Sequence, residues 1–118
     1  MGRNPNSNEI VQDLMADSGL DRTTCEELVY IFCAQAQRLV LGISESLLKN
    51  DFQSTALFLH QLKGSAGNVR AKKISRLAID AERAMKAADV NKVSGLLWGI
   101  KEILEAFMVT GKDDRDVQ

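Results

Sequence analysis

The 118 residues suit one domain with a continuous core that needs neither disulfides nor a structural metal. With 45% hydrophobic and 26% charged residues and a single proline, the composition favours long helices over a turn-rich β sandwich. Fifteen basic residues against sixteen acidic ones leave a net charge of -1, so no overall positive field exists to hold a phosphate backbone, and nucleic acid is not expected as a partner.

Residues 1–6 are polar and carry the only proline, so they are expected to form a flexible tail. Ser7 or Asn6 can cap a short helix with Ile10, Val11, Leu14 and Met15 on its apolar side, stopped by Gly19. Asp21 is placed to cap a second helix running to about Lys49. Its apolar stripe is Cys25, Leu28, Phe32, Ala36, Leu39, Ile43 and Leu47, in steps of three and four. Asn50-Asp51 interrupts it. A third helix follows with Phe52, Ala56, Leu59, Leu62, Ala66 and Val69 inward, ending between Asn68 and Arg70. The fourth carries Ile74, Leu77, Ala78, Ala81, Met85 and Ala88, and beyond Asp89 the fifth carries Val93, Leu97, Ile100, Leu104 and Phe107. Residues 111–118 are charged without apolar periodicity and are expected to be a second flexible tail, leaving 7–110 as the folded domain.

Four long amphipathic segments joined by short loops shield one another best as antiparallel neighbours. The expected fold is all-α: an antiparallel up-down-up-down four-helix bundle with a short extra N-terminal helix over one end. Cys25 and Cys33 fall in one helix, ~12 Å apart along its axis, which is too far for a disulfide. They read as small apolar residues of a reducing compartment. No apolar run approaches the ~20 residues of a membrane span, and the N-terminus lacks the apolar core of a secretory signal. The expected address is cytoplasmic, with no membrane contact.

Chemistry enters at the only histidine, in His60-Gln61-Leu62-Lys63-Gly64-Ser65-Ala66-Gly67-Asn68-Val69. At about 100° per residue, His60 falls a quarter turn from the stripe through Leu59 and Ala66 and should be at least partly exposed. Lys63 at i+3 and Gly64 at i+4 are its surface neighbours. Glycine inside a helix costs about 1 kcal/mol relative to alanine, yet Gly64 and Gly67 both lie on this flank. The missing side chains leave a bare strip along which another protein's backbone can approach closely. Each residue alone has an ordinary explanation: a surface histidine, a solvated lysine, a glycine near a helix end.

Together they resemble the motif of histidine-containing phosphotransfer (HPt) domains, in which a phosphoaccepting histidine is followed by x-Leu-Lys-Gly-Ser-Ser/Ala. His60, Leu62, Lys63, Gly64, Ser65, Ala66, Asn68, Val69 and Ala71 match. Gly19-Leu20-Asp21, Phe32, Leu77-Ala78 and Ala81-Glu82 extend the likeness, and Ala88-Asp89 stands where the family usually has Gly-Asp. Arg70 departs from it, since glycine is usual there, and the turn after the third helix is therefore expected to be strained.

The resemblance implies a phosphorelay protein that accepts a phosphoryl group on His60 from a receiver-domain aspartate, or from a (hybrid) sensor histidine kinase, and passes it on. An imidazole of ordinary pKa, about 6.5, is mostly neutral at pH 7 and needs no separate base. The attacking atom would be Nε2. Lys63 would offset phosphoryl charge and Gln61 would contact it less directly. Leu57, Gly64 and Gly67 would form the centre of a docking surface, with Gln53 and the Leu20 region on its edge. Lys72, Lys73 and Arg76 with Arg70 form a basic group that reads as a solvated face. The resemblance also implies no cofactor and no metal site in this chain, the Mg²⁺ belonging to the receiver, and a monomer. With no nucleotide-binding loop it is read as a carrier and not a turnover enzyme. The alternatives are a helical docking module that binds receivers or kinases without carrying phosphate, and, more weakly, a cofactor-binding bundle using His60 as an axial ligand.

Overall fold

The computed structural model describes residues 7–116, with side chains described as far as Phe107. Five helices follow one another: α1 (Ser7–Ser18), α2 (Arg22–Leu48), α3 (Phe52–Asn68), α4 (Lys72–Lys86) and α5 (Val90–Asp116). The described residues contain no strand. α2 packs on α3, α3 on α4, α4 on α5, and α5 closes back onto α2, while α1 lies against α2 and α5. The expectation for residues 1–6 lies outside the described residues. A flexible tail was expected over residues 111–118; α5 runs through Gly111 to Asp116, and residues 117–118 lie outside the described residues. Lack of apolar periodicity removes a buried face but does not stop an existing helix from propagating, since each added residue gains a hydrogen bond.

Each of the four joints between helices contains one residue in the left-handed region: Gly19 at φ 75°, Asn50 at 57°, Arg70 at 67° and Ala88 at 58°. Such a residue turns the chain sharply off a helix end. Three of the following helices then start on an aspartate. Asp21 accepts from Thr24 N at 2.9 Å, Asp51 from Ser54 N at 3.2 Å and Ser54 Oγ at 2.7 Å, and Asp89 from Lys92 N at 3.2 Å. These bonds hold the exposed Asp21 and Asp51 carboxyls below the ordinary range, through their contacts to Thr24 and Ser54 respectively. α4 is the exception, because Ala71 has no side chain with which to cap it.

Arg70 and Ala88 occupy two positions where the resemblance leads one to expect glycine, and the positive φ gives the reason. Arg70 is braced. Its Nε donates to Asp17 Oδ2 at 2.7 Å, and its Nη1 donates to the carbonyls of Gly67 at 3.2 Å and Asn68 at 3.1 Å. The guanidinium thus closes the C-terminal end of α3, where free carbonyls favour a cation, and ties it to the last turn of α1.

The core is rotated slightly from the stripes expected from hydrophobicity. On α2 the buried line is Cys25, Val29, Phe32, Ala36, Val40, Ile43 and Ser46, leaving Leu28 exposed and Leu39 and Leu47 half-buried. On α3, Thr55 is buried while Phe52 is exposed and Ala56 half-buried. Ala88 lies outside on the joint. Ser46 and Thr55 are the buried polar pair between α2 and α3, their hydroxyls 2.6 Å apart, with Ser46 Oγ also 2.9 Å from Ile43 O and Thr55 Oγ1 3.1 Å from Asp51 O. Neither hydroxyl is left without a partner, so their burial carries little penalty. One turn before Ser46, Gly42 lets the Phe58 ring rest on the α2 backbone: a Cβ there would stand 3.0 Å from Phe58 Cε2.

Cys25 and Cys33 are both free thiols. Burial pushes the Cys33 thiol up to about 11, which leaves it protonated and unreactive at neutral pH.

The joint at Arg70 is testable. Arg70→Gly removes the left-handed cost and the guanidinium contacts together, whereas Arg70→Ala removes the contacts and keeps a cost of ~1 kcal/mol. In urea denaturation the alanine variant is expected to be less stable than the glycine variant by about that amount. Equal stabilities would show that the turn carries no strain.

Candidate functional site

α3 presents His60 because its inward line, Thr55, Leu59, Leu62 and Ala66, pins the opposite flank outward. The imidazole side chain is 65% exposed. Gln53, Leu57, His60, Gly64 and Gly67 follow one another at intervals of four and three, forming one exposed strip along the helix. Leu57 is an exposed large apolar residue. Nothing lies within 4 Å of the position a Cβ would take at Gly64, and at Gly67 only Ser75 Oγ lies at that distance. Neither glycine is demanded by packing or by a left-handed backbone. Gln61 is exposed on the flank away from Lys63 and does not take part in the contact described next.

That contact comes from α4. Glu82 lies beside the buried line of Ala78, Ala81 and Met85 and turns toward α3. Its Oε1 accepts from Lys63 Nζ at 3.0 Å and its Oε2 lies 3.1 Å from His60 Nδ1. An ionised carboxylate can only accept, so Nδ1 must carry the proton. The lone pair of a neutral ring is then on Nε2. Lys63 brings an ammonium group, about one-third exposed, to the same carboxylate. Glu82 therefore fixes the ring's orientation and tautomer and holds a cation one helical turn away.

Glu82 was not among the residues expected at the site, although Ala81-Glu82 belonged to the family likeness. Its partners are on another helix, 22 residues away in the case of His60. A carboxylate flanking the apolar stripe of α4 was the available signal. The Leu20 side chain is exposed in the joint between α1 and α2. Among the described residues no group of three or more histidine, cysteine, aspartate or glutamate side chains is arranged to hold a metal ion, and no helix is long and apolar enough to cross a membrane.

Burial pushes the Glu82 carboxyl up, but hydrogen bonds from Lys63 and then His60, with their charges, outweigh it and the net shift is downward.

A family model described as the Hpt domain matches residues 27–108, a span that includes all of α3 and α4. The chain belongs to the Hpt domain family. Among solved structures, the crystal structure of a histidine-containing phosphotransfer protein from maize matches with a TM-score of 0.70 and 21% identity, covering 95% of this chain and 85% of that one. At that identity the likeness establishes a shared fold. No curated protein matches. Placed on this Hpt domain, the matched segment contains His60, Lys63 and Glu82 together, and it leaves α1 outside.

Two measurements check the site's architecture. Gly64→Ala is expected to raise stability by ~0.5–1 kcal/mol, because the helix gains a better former and the added methyl meets nothing; a loss of stability would mean that packing requires the glycine. The depressed Glu82 carboxyl stabilises the fold above the ordinary glutamate value of about 4.3, and that contribution is lost as pH falls through the lower folded value. Glu82→Gln should accordingly flatten the fall of stability below about pH 4.3. Parallel acid profiles for the two proteins would show that the bridge does not contribute.

Proposed function

We propose that this Hpt domain is a phosphocarrier in a two-component phosphorelay, with His60 as the phosphoaccepting residue. The observation that carries this reading is the arrangement of the ring: Nδ1 faces Glu82, the side chain is 65% exposed, and Lys63 stands one turn away. Whenever the ring is neutral, this tautomer directs the Nε2 lone pair to an incoming electrophile, and no side chain has to remove a proton first.

The donor would be an acyl phosphate on a receiver-domain aspartate, or a phosphohistidine of a sensor kinase. Nε2 attacks phosphorus in line as the bond to the donor breaks. Lys63 offsets charge on the phosphoryl oxygens during the transfer, and Gln61 stands at the opposite edge. The divalent cation would be supplied by the receiver. The chain is then a carrier that is restored at each passage and not a turnover enzyme.

Docking would use the strip through Gln53, Leu57, Gly64 and Gly67, with Leu57 as its apolar centre and a polar rim setting partner choice. The helix order and short joints fit an up-down-up-down antiparallel bundle of α2 to α5, with α1 over one side. A cytoplasmic monomer, exchanging with receivers and a kinase, suits this reading.

The test incubates the full chain with phosphorylated receiver domains. Acid-labile, alkali-stable phosphate should appear on the protein and be absent from His60→Gln, while Lys63→Gln should slow its appearance by about tenfold. Binding of receivers without any label would replace the carrier with a docking module.

A further inference from the structure

Resting on the phosphocarrier reading, we propose that Glu82 keeps the proton on His60 Nδ1 after Nε2 has been phosphorylated, so that the phosphorylated ring remains an imidazolium and gives up its phosphoryl group readily. The same carboxylate would thus act on both halves of the relay, acceptance and donation. Glu82 is a positioning residue in this scheme, since it touches the ring and not the phosphoryl group.

The argument starts from the proton. In the resting ring Nδ1–H points at Glu82 Oε2, 3.1 Å away. When Nε2 attacks, its lone pair forms the Nε2–P bond, and the P–O bond of the acyl phosphate breaks with its electron pair returning to the receiver's carboxylate. The ring now carries a positive charge shared between both nitrogens. Ordinarily such a ring can shed the Nδ1 proton to water, leaving a neutral phosphoimidazole. Departure of phosphoryl from that neutral form would expel an imidazolate anion, a poor leaving group. From the protonated form, the Nε2–P pair returns to Nε2 and leaves a neutral imidazole, with Nδ1–H unchanged throughout.

Glu82 favours the protonated form because its negative charge lies in contact with the atom that bears the proton. The carboxylate side chain is only 18% exposed, and its other oxygen is held by Lys63 at 3.0 Å, so it is not free to swing into solvent. Loss of the Nδ1 proton would also place a carboxylate oxygen against a bare nitrogen lone pair, two acceptors facing each other across 3.1 Å. Both effects act in one direction. An opposite charge in contact favours the charged form of a titrating group by about tenfold or more.

The experiment labels the full-length protein with potassium phosphoramidate, removes the donor, and follows loss of phosphate from His60 at pH 8 by ³¹P NMR. Glu82→Gln is the informative variant, since its amide oxygen can still accept from Nδ1–H while the negative charge is gone. Its phosphohistidine is expected to persist about tenfold longer than the wild type's. Followed by its Nδ1 ¹⁵N resonance, the phosphorylated ring should lose its proton about one pH unit higher in the wild type than in the variant. The lengthening should survive in a Lys63→Gln background. Equal lifetimes overturn the proposal, and so does a lengthening that disappears without Lys63, which would assign it to an ammonium group released onto the phosphoryl oxygens. Failure to label wild-type His60 with either phosphoramidate or phosphorylated receivers would instead overturn the phosphocarrier reading itself.

Discussion

One carboxylate organises the site. Glu82 sits on α4 and bonds two residues of α3, so the relation between those helices and the presentation of the imidazole are the same fact. Histidine at a helix flank is ordinarily free to rotate about two side-chain bonds, and either nitrogen can hold its proton. The bridge removes both freedoms at once. It also keeps a lysine close to the ring, because both groups share the one carboxylate.

The rest of the fold can be understood as support for that bridge. α3 is held on one side by the hydroxyl pair of Ser46 and Thr55 and on its far end by the Arg70 guanidinium. The joints before and after α3 carry left-handed residues, Asn50 and Arg70, which turn the chain off each helix within a few residues. With α3 bonded at both ends and packed on α2 and α4, the strip from Gln53 to Gly67 is one continuous exposed surface. Packing does not require the glycines on it: a Cβ at Gly64, inside a helix, would meet nothing within 4 Å.

The helices were legible in the sequence because apolar residues repeat at helical intervals and three of the four joints carry a capping aspartate, with Gly19 ahead of the first. What hydrophobicity could not give was the exact face. Leu28 and Phe52 were assigned inward on their apolar character, yet Val29 and Thr55 take those places. Thr55 can do so because its hydroxyl meets both Asp51 O and the hydroxyl of Ser46, nine residues earlier, and the latter, tertiary pairing has no local signature. The same holds for the site. His60, Lys63 and the glycines lie within eight residues and form a pattern, whereas Glu82 becomes visible only when α4 is laid on α3. Arg70 was legible as an oddity, but its counter-ion Asp17, 53 residues away, was not.

The seat of Phe58 on Gly42 reaches further than local packing. Phe58 precedes His60 by two residues, and a Cβ at position 42 would stand 3.0 Å from its ring. The closeness of α3 to α2 at this point therefore depends on the missing side chain at position 42. A methyl group at position 42 would press on the Phe58 ring, which would have to give by a few tenths of an ångström to admit it. The fit between the two helices is thus set at a residue whose contribution is the absence of a side chain.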